Sequence, residues 1–144
     1  MCDFTGKSKS TERVGYKIVL TDGKNKKFYS PHVGAEYVDG PVKVAIKYKS
    51  KTSVFDCDIL DYAFKKDHVG RTAVFLRKKD AQDIAKMFTT CTEFKKDIKY
   101  KLGVVKATVS NDLLIGQFKD CKVVAGKHIV FDRDTLEIVW EKRK

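Results

Sequence analysis

The chain has 144 residues and a mass of 16.4 kDa, the length of one domain, and its 42% hydrophobic and 11% aromatic content excludes an intrinsically disordered chain. Thirty Lys and Arg residues against nineteen Asp and Glu residues give a formal net charge of +11, which favours anionic partners such as nucleic acid, anionic lipid or an acidic protein. No apolar run approaches the roughly 20 residues of a membrane-spanning helix, so we expect no membrane span.

The N-terminal segment differs from the rest of the chain. Residues 1–14 are polar and lack apolar periodicity, so we interpret them as an N-terminal tail or edge segment, followed by a single globular domain over residues 15–144. The chain does not open with the basic and then apolar stretch that is typical of a secretory signal. We therefore expect reduced cysteines and an intracellular location, in the cytoplasm or the nucleus.

Alternating apolar and polar residues predict β-strands in the first half of the chain. The first strand contains Tyr16, Ile18 and Leu20, and a turn separates it from a short return strand at Phe28. The clearest alternation covers residues 42–60. It predicts a hairpin that pairs opposite charges on its outer face and projects unpaired lysines from its tip.

The second half combines one helix with further strands. An apolar run over residues 71–77 fits a strand that is buried on both faces. Apolar residues then recur at the spacing of one helix face, at Ala81, Ile84, Ala85 and Phe88. This pattern predicts an amphipathic helix over about residues 79–90. Further strands are predicted over residues 100–110, 113–116, 121–125, 126–131 and 136–140. The expected fold is a β-rich α+β domain, with a mostly antiparallel, curved sheet packed against one helix.

The sequence contains none of the spacing patterns that mark common catalytic or metal sites. It has no phosphate-loop glycines, nucleophile elbow or zinc-protease motif, and its four cysteines lie 30 or more residues apart. An enzyme would gain support only if the fold gathered His32, His68 or His128 with carboxylates in one cleft. We therefore predict a non-enzymatic protein that needs no cofactor or metal.

Lysine carries most of the positive charge, with 25 Lys and 5 Arg residues. Lysine is a flexible point charge, whereas arginine supplies the planar fork that reads base edges, so this composition favours phosphate contact without sequence preference, on DNA or RNA. An ordinary solvated surface would have a similar composition. We expect the binding lysines on the first turn, at the hairpin tip and after the helix: Lys24, Lys26, Lys27, Lys49, Lys51, Lys95, Lys96, Lys99 and Lys101.

Aromatic residues stand next to several of these lysines, as in Phe28-Tyr29, Tyr48 and Tyr100. Single-strand-binding sheets combine stacking rings with phosphate-seeking charges. Neighbouring residues of a strand face opposite sides, however, so a ring and the adjacent lysine do not serve one site in the middle of a sheet. We therefore assign these rings to the core.

Two segments of the chain form one block: the opening strand Tyr16-Lys17-Ile18-Val19, and residues 70–76, followed by Lys79-Asp80-Ala81 at the start of the helix. This block resembles one that recurs in small uncharacterised proteins of phages and large DNA viruses. The resemblance covers about half of the chain. It implies a viral accessory or virion protein in a host cytoplasm or nucleus, and it carries no catalytic residues to transfer.

The sequence is therefore compatible with two functions. The first is a non-enzymatic basic protein that binds nucleic acid without sequence preference through lysine–phosphate contacts. The alternative is a structural or assembly protein that forms homo-oligomers or docks on other protein subunits through exposed strand edges.

Overall fold

The computed structural model describes residues 3–8, 10–22, 27–30, 36–42, 71–90 and 100–141. These residues form ten strands and one helix: β1 (Asp3–Lys7), β2 (Glu12–Thr21), β3 (Phe28–Tyr29), β4 (Glu36–Tyr37), β5 (Gly40–Pro41), β6 (Thr72–Phe75), α1 (Lys78–Thr90), β7 (Lys101–Ser110), β8 (Leu114–Phe118), β9 (Cys121–Gly126) and β10 (His128–Trp140). The predicted hairpin over residues 42–60 lies outside the described residues, apart from Val42.

The strands of the described ranges form one antiparallel sheet. Its order is β1-β8-β9-β6-β2-β7-β10-β5, with β3 pairing with β2 and β4. The first and last strands of this order do not pair, so the sheet is open. The β-rich α+β class and the antiparallel sheet are therefore confirmed for the part of the chain that the structure describes.

The helix begins one residue earlier than predicted, and the predicted stripe is its buried face: Ala81, Ile84, Ala85 and Phe88. This stripe packs on Leu20 of β2 and Leu102 of β7, both completely buried. A second cluster covers the opposite face of the sheet around Val19, Phe28 and Val105. Since alternate residues of β2 enter different clusters, the central strands are buried on both faces.

β10 is one strand where the sequence predicted a break before residue 136. Asp132 pairs with Lys106 and Glu137 pairs with Val104, so residues 133–136 bulge out of the ladder. The hydroxyl of Thr135 accepts a hydrogen bond from the Lys106 amide at 2.9 Å and donates one to the Asp132 carbonyl at 2.7 Å. These bonds satisfy backbone groups within the bulge, and the strand therefore continues to Trp140.

The N-terminal segment takes part in the sheet. β1 lies at the sheet edge and pairs with β8, and β2 begins at Glu12. The N-terminal segment, residues 1–14, therefore contributes residues to both strands.

Glu137 connects β10 to the helix by accepting hydrogen bonds from Lys78 Nζ and, at 2.9 Å, from Gln82 Nε2. The hydrogen bond from Lys78 is the main cause that holds the pKa of Glu137 below its usual value of 4.5, and burial opposes it. Because the pKa is lower in the folded state, the stability that this pair contributes is present above pH 4.5 and is lost as the pH falls through the folded pKa. Both side chains are nearly half exposed, so this contribution is small.

We expect Lys78→Met to raise the pKa of Glu137 back towards 4.5, measured by NMR titration of its carboxyl carbon. Lys79→Met is the matched control, because Lys79 is exposed on the next helical position. An unchanged pKa of Glu137 in the Lys78 variant would contradict this account of the helix anchor.

Candidate nucleic-acid interface

Four strands terminate side by side at one end of the sheet. Thr21 of β2 pairs with Phe28 of β3 on one side and with Lys101 of β7 on the other. In the next row, Leu20 pairs with Tyr29 and Leu102, and Leu102 pairs with Trp140 of β10. We call this region the four-strand end and define it by Lys27, Tyr29, Tyr100, Lys101, Trp140 and Glu141.

Two of the nine predicted lysines lie in the described ranges, and both belong to the four-strand end. Lys27 is exposed directly before β3. Lys101 begins β7, and its Nζ lies 3.2 Å from the Glu141 carboxylate, with both side chains largely exposed. Such an exposed pair is weak, so Lys101 remains able to exchange Glu141 for another anion. The seven others lie outside the described residues: Lys24, Lys26, Lys49, Lys51, Lys95, Lys96 and Lys99.

The described residues carry almost balanced charges. They include fifteen Lys and Arg residues and thirteen Asp and Glu residues, whereas the whole chain has a formal charge of +11. Several of these cations are matched locally, as in the ion pair of Lys127 with Asp112 at 2.9 Å. Most of the excess positive charge therefore belongs to residues outside the described ranges.

Three of those other ranges border the four-strand end. Residues 23–26 lead into Lys27, residues 91–99 lead into Tyr100, and residues 142–144 follow Glu141. Together they contain eight Lys and Arg residues and two Asp and Glu residues. The fold thus brings together the attachment points of three basic stretches that are far apart in the sequence.

The aromatic rings near this end differ in burial. Phe28 is completely buried and packs edge-to-face on Phe131 with centroids 5.3 Å apart, as predicted for a core residue. Tyr29 and Tyr100 lie 5.3 Å apart, with ring planes inclined by 49°, and each keeps part of its surface exposed. Both tyrosines also pack against the apolar cluster that contains Leu20 and Leu102. The assignment of these rings to the core is therefore confirmed for Phe28 and holds in part for Tyr29 and Tyr100, while Tyr48 lies outside the described residues. Alternation predicts which face a residue occupies, but it does not reveal that a strand terminates there.

The described ranges also contain side chains of types used in catalysis, among them Cys121 and His128. No cluster of three or more His, Cys, Asp and Glu residues there could hold a metal ion. Burial, followed by the nearby carboxylates of Asp80 and Asp120, raises the pKa of the Cys121 thiol, so the thiol stays protonated at neutral pH. His128 lies in β10 opposite Ser110, and His32 and His68 are outside the described residues.

No helix within the described ranges combines the length and apolar character needed to cross a bilayer. In comparisons with known proteins, the chain has no significant match to a protein-family model, a curated protein or a solved structure. Its functional assignment therefore depends on the four-strand end and on the distribution of charge.

Proposed function

We propose that the protein is a non-enzymatic module that binds nucleic acid without sequence preference, through lysine–phosphate contacts at the four-strand end. The observation that carries the proposal is the meeting of β2, β3, β7 and β10 at this end. The lysines expected to contribute there are Lys24, Lys26, Lys27, Lys95, Lys96, Lys99 and Lys101. Lys49 and Lys51 of the predicted hairpin tip would add a second group.

Chain connectivity supports a concentration of charge at this end. Lys26, Lys99 and Lys142 are each joined by a peptide bond to a residue of the four-strand end. Consecutive Cα atoms are about 3.8 Å apart, so chain connectivity alone keeps the Cα atom of each of these lysines within one Debye length, about 8–10 Å, of a residue of the four-strand end. The described framework is almost neutral, so these lysines dominate the local potential and attract a phosphate backbone.

Binding measured against salt concentration tests the proposal. Labelled duplex and single-stranded DNA and RNA are titrated with the full chain at about 50–300 mM salt, and fluorescence anisotropy gives the affinity. We expect log affinity to fall linearly with log salt, with a slope of roughly 0.7–0.9 for each phosphate that is neutralised. Absent binding at low salt, or an affinity independent of salt, would refute the proposal.

A charge-neutralising variant tests the assignment to this end. We expect Lys27→Gln combined with Lys101→Gln to reduce the salt slope by roughly 1.4–1.8, because each lysine–phosphate contact contributes roughly 0.7–0.9. The matched control combines Lys106→Gln with Lys127→Gln. Lys127 is also exposed and ion-paired, but it lies directly before β10, at the end of that strand opposite to Trp140. An equal loss in both variants would mean that binding is spread over the whole surface.

Assembly with other protein subunits, including copies of this chain, is the second candidate. It is favoured by the cross-strand row of Val14, Thr108 and Val130, whose two valines are 49% and 47% exposed. We expect such an assembly to show a light-scattering mass above 16.4 kDa that falls to the monomer value in the Val14→Asp, Val130→Asp double variant. A monomeric wild-type protein would remove self-assembly from this candidate. The intracellular location and the resemblance to viral accessory or virion proteins remain predictions.

A further inference from the structure

We propose that the four-strand end selects single-stranded nucleic acid, whose unpaired bases stack on Tyr29 and Tyr100 beside the lysines. This inference rests on the proposed function and names the substrate class of the same site. Single-stranded DNA and RNA share the chemistry concerned, which is a base with an accessible π-face on a phosphate backbone.

The two tyrosines form a preorganised aromatic surface. They belong to different parts of the chain and meet across β2, with centroids 5.3 Å apart and planes inclined by 49°. Both rings pack against the apolar cluster that contains the completely buried Leu20 and Leu102. This packing restricts the orientation of the rings before a ligand arrives, so binding a base costs little side-chain entropy.

The position at the strand termini allows rings and charges to act together. In the middle of a strand, Tyr100 and Lys101 would serve opposite faces of the sheet. At the first residue of a strand, however, both faces of the sheet border the same open end. The flexible four-carbon side chain of a lysine there can extend past the end of the sheet towards the face that carries the ring. Lys27 lies directly before β3, two residues from Tyr29, and therefore borders the same open end.

These features favour a single strand over a duplex. Duplex bases already stack on one another, so a duplex offers this surface only phosphates. A single strand offers phosphates to the lysines and base faces to the tyrosines. Base–aromatic stacking tolerates every base, which agrees with binding that lacks sequence preference.

The test uses the full chain and four probes at about 50 mM salt: oligothymidylate, oligouridylate, a DNA duplex and inorganic polyphosphate, matched in number of phosphates. Trp140 is the only tryptophan and lies in the same row as Tyr29, so its fluorescence reports on this end. We expect both single strands to bind at least about tenfold more tightly than duplex or polyphosphate and to change the Trp140 emission.

Tyr29→Leu and Tyr100→Leu should each weaken single-strand binding by about 5- to 100-fold and leave duplex and polyphosphate affinity within twofold. Tyr16→Leu is the matched control, because Tyr16 packs against the same apolar cluster nearer the other end of β2. Tyr100→Phe keeps the ring and should bind as the wild type does.

Equal affinity for all probes, with no effect of the tyrosine variants, would overturn this inference and leave the proposed function standing. Absence of binding to every probe would overturn both. If the leucine variants do not fold, the affinity of the wild-type protein for an abasic single strand tests the role of stacking instead. This affinity should fall to that of polyphosphate, and an unchanged affinity would overturn the role of stacking.

Discussion

Phe28→Ala should lower the free energy of unfolding by about 3–5 kcal/mol, as expected for a large aromatic side chain that is lost from a packed core. Phe28 is completely buried, packs edge-to-face on Phe131, and has the Arg133 guanidinium 4.7 Å from its ring centroid. β3 contains only two residues, so Phe28 is its main apolar anchor. The variant should therefore also weaken nucleic-acid binding, because Lys27 and Tyr29 flank this anchor.

Urea unfolding followed by Trp140 fluorescence measures the stability of this variant, and anisotropy measures its binding. Phe28→Leu retains most of the apolar volume and should lose less than half as much stability. A loss below about 1 kcal/mol for the alanine variant would show that β3 does not depend on this side chain.

Gly15→Ala should lower the free energy of unfolding by about 3 kcal/mol, at the upper end of the usual cost of overpacking. A Cβ atom at Gly15 would lie 2.5 Å from the Phe75 carbonyl oxygen and 2.5 Å from Val74 Cγ2. The oxygen belongs to the backbone of β6, so no side-chain rotation relieves the clash, and β6 must move away from β2. In the described ranges these strands share one backbone pair, Tyr16 with Phe75, and the bond from Lys17 Nζ to the Ala73 carbonyl.

Gly6→Ala in β1 provides the control, because a Cβ atom there would meet nothing within 4 Å. Its stability should stay within about 0.5 kcal/mol of the wild type in the same urea experiment. If the Gly15 variant were equally stable, the close approach of β2 and β6 would not matter to the fold.

Local patterns were enough to predict the helix and the central strands. The stripe from Ala81 to Phe88 faces the core, and the alternation of Ile18 and Leu20 with Val19 places these residues in two different clusters. Both signals arise from periodicity within one element, and the sequence displays that directly.

Features that depend on distant residues were not predictable in this way. The bulge in β10 requires the Thr135 hydroxyl to meet the Lys106 amide of another strand. The pairing of β6 with β2 requires a glycine opposite a bulky strand. The four-strand end depends on strand order, which alternation does not encode, and so the partial exposure of Tyr29 and Tyr100 was not predicted.

The described strands and helix carry almost no net charge, although the whole chain is strongly basic. In this arrangement, the charge that attracts anions is separate from the residues that stabilise the fold. A strongly cationic sheet would repel itself, and every gain in attraction for anions would oppose folding. Here the packed strands hold matched charges, and the surplus belongs to stretches that border them. Under the proposed function, substitutions in those stretches change the affinity for nucleic acid, while the packed strands keep their structure.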